Sequence, residues 1–278
     1  MSRTYSLSGC YYFMQPATVE IYLTGLAIIL GLFTLVWIFS VPLRNVSIVD
    51  MFWGLGFVVA CLTYYWFSET HHWRGILVLV LTAVWGIRLS LHIGIRNAGK
   101  VEDYRYTEFR KRYGEQNYWW FSFFQVFLLQ GILLWLISAP LLLAQIPQAN
   151  ITFSFADGLA IVLWTTGFIF EAGGDYQLMQ FRSNPSNKGK VLREGLWKYT
   201  RHPNYFGDAL IWWSFATFGI AAGHWWPLLS AGLMNLLLLK VSGVALLEKN
   251  LTRTKPEYED YIKRTPAFFP WLPKSNNA

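Results

Sequence analysis

Charged residues are scarce in this chain. They make up 14% of its 278 residues, whereas soluble globular domains carry roughly 25%. Hydrophobic residues make up 54% and aromatic residues 18%. This composition excludes an ordinary soluble domain and indicates a protein whose surface is apolar as well as its core.

Cysteines, repeats and linkers are also scarce. The two cysteines, Cys10 and Cys61, lie in an N-terminal tail and in an apolar run, so they predict neither a disulfide framework nor a metal site. No fixed-period repeat and no long polar linker is visible, and no signal peptide with a small-residue cleavage site is evident. We therefore predict a single transmembrane domain over residues 1–278.

Long apolar runs, in contrast, are abundant. Crossing a bilayer takes about 20 residues of helix, and seven runs approach or exceed that length. The predicted spans are Val19–Ser40, Asp50–Phe67, Trp73–Ile95, Trp120–Ala144, Ala156–Met179, Tyr205–Ala222 and Trp225–Leu247. Gly223, His224 and Pro227, between the last two, also suit a re-entrant bend. The predicted fold class is all-α: a polytopic membrane protein with seven transmembrane helices.

Lysine and arginine are distributed unevenly among the loops. Clusters follow the third, fifth and seventh predicted spans, whereas only Arg3 and Arg74 lie on the opposite side. Because cytoplasmic loops carry the Lys/Arg excess, the N-terminus is predicted outside and the C-terminus in the cytoplasm. Anionic lipid headgroups match the net charge of +7, so membrane lipid is a predicted partner and nucleic acid is not.

The third predicted span carries polar side chains on one helical face. Arg88, His92 and Arg96 lie at i, i+4 and i+8, and Trp85 lies three residues before Arg88. A centrally placed Arg costs roughly 2.5–3.5 kcal/mol on insertion scales, so such residues usually face a cavity. For Arg96, at the end of the span, snorkelling to the surface is the alternative that we favour. For Arg88 we favour a functional role.

The fifth predicted span carries two carboxylates one turn apart. Glu171 and Asp175 flank Gly173 and Gly174, which would allow a helix or a ligand to approach closely. Such a pair suits acid–base chemistry, a metal, hydrogen bonds to ligand hydroxyls, or a structural ion pair. No histidine lies three or four residues from either carboxylate, so we predict no metal site. Hydroxyl binding or pairing with Arg88 is favoured.

The stretch KYTRHPNYFGD leads into the sixth predicted span. Pro203 suits the first turn of a helix, and the free N–H groups and the dipole at that end favour an anion. Arg201 and His202 precede this end, while Asn204 and Asp208, at i and i+4, point into the bundle. We therefore predict a strongly anionic ligand at the cytoplasmic mouth.

NADPH fits this description, since planar Arg forks bind phosphates well. The chain has no GxGxxG motif between a strand and a helix, so a dinucleotide would lie within the helix bundle. An amphipathic surface helix is predicted over EDYRYTEFRKRYGEQ; its tyrosines suit interfacial anchors or ligand contacts, and its arginine at position 105 can reach the mouth. The predicted cofactor-binding residues are Arg88, His92, Arg105, Glu171, Asp175, Lys190, Arg193, Arg201, His202, Asn204, Asp208, Glu248 and Arg253.

Four stretches resemble one enzyme family. RHPNYFGD, REGLWKYT, WGIRLSLHI and LLEKNLTRTKPEYEDYIKRTPAFFPW are similar to the steroid 5-alpha-reductase family, and more narrowly to its bacterial membrane homologues. The resemblance runs from about Asp50 to Pro273 and is densest after Glu171. The RHPNY signature is shared with sterol reductases and isoprenylcysteine carboxyl methyltransferases, so it marks a superfamily of membrane enzymes.

The resemblance implies a reductase of the bacterial inner membrane, or an equivalent membrane, whose active site opens to the cytoplasm. Its cofactor-binding half is residues 120–273. The implied reaction is NADPH-dependent reduction of the C=C bond of a 3-oxo-Δ4 steroid or a similar lipidic enone. Hydride goes to the β-carbon while an acid polarises the ketone, and a proton then reaches the α-carbon.

The resemblance also implies roles for single residues. Four positions match family residues near the nucleotide or at an acidic position: Arg88, Asp175, Asn204 and Asp208. The family addresses the substrate carbonyl with a glutamate and a tyrosine, and this chain has Asp50 and Trp85 at about those places. Asp50 and Trp85 are therefore the predicted catalytic residues, and Asp50 needs an apolar site that keeps its carboxyl protonated.

Two alternatives remain. An S-adenosylmethionine-dependent methyltransferase of the isoprenylcysteine carboxyl type would bind a small sulfonium zwitterion, which has no use for so many cations or for Arg88. A non-enzymatic lipid-binding or scaffold protein would use the intramembrane charges only structurally. Three separate helices bring polar faces to the same side of the membrane, which disfavours that second alternative.

Overall fold

The computed structural model describes residues 16–68, 71–146, 151–241 and 244–274. Every regular element in these ranges is helical. Five helical stretches are long and apolar enough to cross a membrane: Ala17–Leu43, Val46–Phe67, Trp73–Asn97, Tyr118–Leu143 and Phe155–Ser183. The all-α prediction is confirmed for the described residues, and the five stretches agree with an integral membrane protein. Cys10 and Arg3 lie outside the described residues.

The helices follow one another in twelve segments. They are α1 (Pro16–Leu43), α2 (Val49–Phe67), α3 (Trp73–Asn97), α4 (Tyr104–Tyr113), α5 (Tyr118–Ser122), α6 (Leu129–Ile137), α7 (Ala139–Leu143), α8 (Phe155–Ser183), α9 (Pro203–Ala221), α10 (Pro227–Leu236), α11 (Val244–Thr254) and α12 (Tyr258–Arg264). The segment α4 confirms that the predicted surface stretch is helical. Short 3₁₀ turns precede α2 and connect α8 to α9.

The last two predicted spans differ from the first five. The sixth corresponds to α9, which begins with Pro203 in its first turn as the sequence predicts. The seventh is divided into α10, a π-helical turn at Leu237–Val241, and α11. Neither α9 nor α10 is among the five candidate spans. The count of seven spans and the orientation of the termini therefore stay predictions.

Two pairs of glycines let helices cross at backbone contact. A Cβ atom on Gly54 of α2 would lie 2.4 Å from the carbonyl oxygen of Gly86 on α3, and one on Gly86 would lie 2.6 Å from that of Gly54. Gly167 of α8 and Gly207 of α9 form an equivalent pair, at 2.6 and 2.4 Å. Small residues at such crossings allow the close packing that holds helices together in lipid. The second crossing lies one turn from Glu171 and directly beside Asp208, so it fixes their separation.

The fourth span is not one regular helix. A π-helical turn at Phe123–Leu128 joins α5 to α6, and α7 begins after Ser138 with Pro140 in its first turn. A proline in the first turn lacks an N–H that would have no partner there anyway. The span packs on α1 through reciprocal bonds at 2.9 Å, from Tyr22 Oη to the Trp135 carbonyl and from Trp135 Nε1 to the Tyr22 carbonyl.

A buried ion pair joins the ends of α3 and α8 at one pole of the bundle. Arg74 Nε donates to Asp157 Oδ1 at 2.6 Å and Arg74 Nη2 donates to Asp157 Oδ2 at 3.0 Å. The same aspartate closes a capping box with Ser154. Arg74, one of the two cations on its side of the predicted membrane, is thus neutralised inside the protein.

The chain after α11 folds back over the start of α9. Arg201 Nη1 donates to the carbonyls of Ile262 at 3.2 Å and Thr265 at 2.5 Å. Thr200 Oγ1 donates to the Phe268 carbonyl at 2.8 Å. The segment α12 and the residues after it therefore form part of the wall around the first turn of α9, at the pole opposite the Arg74–Asp157 pair.

Candidate functional site

A cavity of about 340 Å³ lies among α2, α3, α8, α9 and the π-helical turn after α10. We call it the inner cavity. Its apolar wall includes Trp53, Leu89 and Met234. Its polar lining is Asp50, His92, Arg96, Arg105, Tyr106, Gln130, Glu171, Asp175, Asn204 and Asp208. Polar side chains predicted from separate helices thus meet in one place.

Arg88 sits behind this lining as the centre of a charge network. Its Nη1 donates to Asp175 Oδ2 at 2.7 Å, and its Nη2 donates to Glu171 Oε1. Asn204 Nδ2 donates to Asp175 Oδ1 at 3.0 Å. Arg88, Asp175 and Asn204 therefore converge, as the helical spacing predicts. The two carboxylates occupy Nη1 and Nη2, whereas the buried Nε has no hydrogen-bond partner among the described residues.

Trp85 is hydrogen-bonded to the same charge network. Its Nε1 donates to Glu171 Oε2 at 2.8 Å, and the side chain is fully buried. Its ring packs edge-on against Trp212, with centroids 5.6 Å apart. Trp85 is not among the residues that line the inner cavity. The location of Trp85 favours a role in orienting Glu171 rather than the predicted contact with substrate.

Asp208 is the buried carboxylate of the lining with unused hydrogen-bonding capacity. It is 9% exposed, and its Oδ1 has no hydrogen-bond partner within the described part of the chain. A buried polar atom without a partner is costly, so Asp208 is suited to accept a hydrogen bond from a hydroxyl or amide group of a ligand.

Asp50 is not in the apolar site that its predicted role requires. Arg105 Nη2 donates to Asp50 Oδ2 at 2.7 Å and Tyr106 Oη donates to Asp50 Oδ1 at 2.7 Å. The surface helix α4 thus supplies two hydrogen-bond donors to Asp50, one of them a guanidinium, which the local sequence around Asp50 does not show. The role of Asp50 as the acid stays a prediction.

Tyr106 is a site residue for which the sequence left two roles open, an interfacial anchor or a ligand contact. Gln130 Nε2 donates to its oxygen at 3.4 Å, and the ring lies at the edge of the inner cavity. Burial, and after it the charge of Asp50, raises the pKa of Tyr106 well above its ordinary value. The phenol therefore keeps its proton and remains a hydrogen-bond donor.

A second cavity, of about 350 Å³, lies beside the first. We call it the cationic cavity. Five cations line it, and no Asp or Glu is among its lining residues in the part of the chain described. The cations are Arg182, Lys188, Lys190, Arg201 and Lys255. Burial, together with the nearby charge of Arg182, lowers the pKa of Lys255, because both disfavour the charged ammonium.

Two further polar groups of the cationic cavity lack partners. His202 Nδ1 and Tyr258 Oη are buried with no hydrogen-bond partner among residues 16–68, 71–146, 151–241 and 244–274. His202 Nε2 lies 2.9 Å from Glu248 Oε1, and a carboxylate at that distance holds the ring proton on Nε2. Nδ1 is then left free to accept a hydrogen bond from a ligand.

Glu248 clamps the residues at the start of α9 without lining either cavity. Arg201 Nε donates to its Oε1 at 2.8 Å and Arg201 Nη2 donates to its Oε2 at 3.2 Å. Burial acts to raise the pKa of Glu248, but the bonds from His202 and Arg201 outweigh it and lower the pKa to about 2. Glu248 is thus ionised, and it orients Arg201 and His202.

The single predicted mouth is therefore two cavities that share a wall. The rings of His202, which lines the cationic cavity, and Tyr205, which lines the inner cavity, stack with centroids 5.7 Å apart. Four predicted cofactor residues line neither cavity: Arg88 and Glu248, described above, and Arg193 and Arg253. Arg193 pairs with Asp260 at 2.8 Å, and Arg253 is exposed on α11. No group of three or more His, Cys, Asp and Glu side chains that could hold a metal ion occurs within the described ranges.

Comparison with known proteins places both cavities inside one family match. The model of a family described as "Protein of unknown function (DUF1295)" matches residues 36–265. An uncharacterized protein of Schizosaccharomyces pombe is 27% identical over 294 aligned positions, covering 96% of this chain and 83% of that protein. No solved structure matches the chain.

Proposed function

The chain belongs to the DUF1295 family, and we propose that it is a membrane oxidoreductase that uses NADPH to reduce the C=C bond of a lipidic enone. A 3-oxo-Δ4 steroid is one such enone. The proposal rests on one observation: a cationic cavity without carboxylates adjoins a cavity that carries a phenol donor and a free carboxylate oxygen. The cationic cavity suits the phosphate-bearing end of a phosphorylated dinucleotide. The cavity with the phenol and the carboxylate suits its reacting end.

The cationic cavity fits the phosphates of NADPH. Five cations converge there, and charge-assisted hydrogen bonds to phosphate are about twice as strong as neutral ones. His202 Nδ1 and Tyr258 Oη offer an acceptor and a donor to a ribose or a base. Arg201 and Lys190 both line this cavity, so each contributes positive charge to it.

The inner cavity fits the reacting end. When bound, NADPH would supply the hydride for the β-carbon of the enone. Asn204 and Asp208 offer hydrogen bonds to an amide or a hydroxyl, and Tyr106 offers its O–H to the enone oxygen. As that oxygen arrives, the phenol proton turns away from Asp50, whose charge stays paired with Arg105. The negative charge that develops on the enone oxygen is then stabilised by the phenol donor.

One observation favours a second candidate function. Four carboxylates line the inner cavity: Asp50, Glu171, Asp175 and Asp208. Carboxylates suit a sulfonium cation, so the cavity also supports an S-adenosylmethionine-dependent methyltransferase. That cofactor has no phosphate, however, and it would leave the cations of the second cavity without a role.

Binding of the cofactor tests the proposal directly. We would purify the full chain in mild detergent, identify co-purifying nucleotides by mass, and titrate NADPH and S-adenosylmethionine by calorimetry. The paired change Lys190→Ala with Lys255→Ala is expected to weaken NADPH binding by about tenfold or more, since charged hydrogen bonds contribute roughly 1.5–3 kcal/mol each. Lys263→Ala is the matched control, because Lys263 is exposed on α12 and does not line the cationic cavity. Binding of S-adenosylmethionine with no binding of NADPH would overturn the proposal.

A further inference from the structure

A third cavity opens on the outside of the bundle, between α3 and α8, and has a volume of about 560 Å³. We call it the lateral groove. Its walls are Val84, Ile87, Leu91 and Ile95 of α3 and Tyr176 and Met179 of α8. These side chains are 43–68% exposed. Because α3 and α8 are both candidate membrane spans, the groove opens toward lipid.

The floor of the lateral groove is polar. It consists of Arg88, His92 and Asp175, and the side chains of Arg88 and His92 are 20% and 19% exposed. His92 makes no hydrogen bond with any described residue, and its Nε2 lies 3.7 Å from Asp175 Oδ2. Polar groups at membrane depth are costly unless a partner satisfies them. Arg88 and Asp175 already pair with each other, so the group of the floor that a polar group of a ligand can partner is the imidazole of His92.

The lateral groove adjoins the inner cavity. His92 and Asp175 line both, so one layer of side chains divides the lipid-facing surface from the candidate reaction site. A molecule that lies in the groove with its polar end at His92 has that end at the entrance of the inner cavity.

The shape of the lateral groove follows the helices. Its lining runs along α3 from Ala83 to Ile95, a rise of about 18 Å at 1.5 Å per residue. On α8 it runs from Ala172 to Met179, a rise of about 10 Å. A long channel with few side chains on each wall fits an extended hydrocarbon chain better than a rigid fused-ring system.

We infer that the lateral groove binds the hydrocarbon chain of the substrate, and that the substrate is an extended-chain lipid enone which enters between α3 and α8 with its carbonyl leading past His92. This inference rests on the proposed reductase function. Moving a chain from lipid into the groove gains little hydrophobic free energy, because lipid tails are equally apolar. The groove therefore acts through shape, by fixing where the carbonyl lies.

Photolabelling in nanodiscs tests the inference without turnover. The probe is a long-chain α,β-unsaturated methyl ketone with a diazirine at the end of its chain, and labelled residues are located by mass spectrometry. We expect the label on α3 near Val84, competed by an unlabelled long-chain enone. Val84→Trp is expected to reduce this labelling several-fold. Val80→Trp is the control, since Val80 lies one turn away on α3, is 50% exposed against 45% for Val84, and does not line the groove.

Three outcomes would overturn the inference. Label spread evenly over the outer surfaces of all spans, without competition, is the result for ordinary boundary lipid. Equal loss of label in both tryptophan variants shows that the groove is not the site. Competition by progesterone as strong as that by the long-chain enone contradicts an extended-chain substrate. NADPH oxidation with the same enones is measured separately, so failure of the reductase proposal is distinguishable from failure of the groove.

Discussion

The phenol of Tyr106 is held between two polar partners at the edge of the inner cavity. Asp50 accepts its O–H at 2.7 Å, and Gln130 Nε2 lies 3.4 Å from its oxygen. Because Arg105 remains bonded to Asp50, the phenol can turn to a substrate oxygen without leaving a bare carboxylate. In the proposed reduction, the side chain is thus placed to donate one hydrogen bond to the enone oxygen, on which negative charge develops.

Tyr106→Phe is expected to lower kcat for enone reduction by roughly 10²–10³-fold, the usual effect of removing one such donor. The Kd for NADPH is expected to stay unchanged, because Tyr106 does not line the cationic cavity. Steady-state kinetics and calorimetry on one preparation check both. Tyr104→Phe, 52% exposed on the same helix, should behave as the parent; an equal loss there would contradict the assignment.

Glu248 is expected to make the free energy of unfolding depend on pH. Its pKa is lowered from 4.5 to about 2 in the folded protein, so its contribution is present above about pH 4.5 and is lost as the pH falls toward 2. Glu248→Gln is expected to cost on the order of 2 kcal/mol at neutral pH, after allowance for solvent screening. The Tm of the variant should also vary less between pH 5 and pH 2.5.

The control is Glu257→Gln, an exposed glutamate just before α12. Its Tm at neutral pH should match that of the parent. A Glu248→Gln variant with an unchanged Tm at neutral pH would show that the clamp on Arg201 and His202 adds no net stability.

The roles of single residues were predictable where polar side chains recur at helical spacing within one helix. They were not predictable where contacts join residues that are distant in sequence. Arg88 and Asp175 stand out in the sequence because charges are costly in apolar spans and lie at helical spacing. The Asp50–Tyr106 contact joins residues 56 positions apart, and no local pattern signals it. Trp85 was assigned by position in a resemblance, which does not report that its ring is buried behind Glu171.

At the scale of the helices, the crossing of α8 with α9 depends on the absence of a side chain at Gly207. A Cβ on Gly207 would lie 2.4 Å from both the Glu171 nitrogen and the Gly167 oxygen. Both atoms belong to backbone and cannot rotate away. The helices would have to separate, and Asp208 would move with them.

Gly207→Ala is expected to destabilise the protein by about 1–3 kcal/mol, the range for overpacked sites. Thermal unfolding in detergent measures this. Gly232→Ala in α10 is the matched control, because nothing lies within 4 Å of the Cβ position there. That change should be neutral or stabilising by up to about 1 kcal/mol. Equal Tm values for the two variants would refute the role of the crossing.

The elements themselves were predicted to within a few residues where apolar runs are continuous. Trp73–Ile95 was predicted and Trp73–Asn97 is observed, because a bilayer-length run has one favourable structure. The π-helical turns at Phe123–Leu128 and Leu237–Val241 were not predicted. They change the hydrogen-bond register inside runs whose composition stays apolar, so hydropathy carries no sign of them.

For the whole molecule, the predicted orientation places the cationic cavity in the cytoplasm. Single cysteines in a background without Cys10 and Cys61 test this with a membrane-impermeant maleimide on intact cells. Phe153→Cys and Trp225→Cys should react at once, since both side chains are exposed. Glu194→Cys should react only after permeabilisation.

Each departure from that pattern has a distinct meaning. Reaction of Glu194→Cys on intact cells would reverse the orientation. Protection of Trp225→Cys until permeabilisation would replace the last two spans by a re-entrant bend. Reaction of Phe153→Cys and Glu194→Cys from the same side would show that α8 does not span.

The return of the chain after α11 over the start of α9 sets an order of events during synthesis. Lys190 belongs to a segment that leaves the ribosome before α9, whereas Lys255, Tyr258 and Tyr261 emerge after α11. The wall that faces Lys190 is therefore absent while the earlier helices enter the bilayer. The proposed nucleotide would therefore meet a complete cavity only when insertion is almost over, and we expect it to bind the mature protein and not the nascent one.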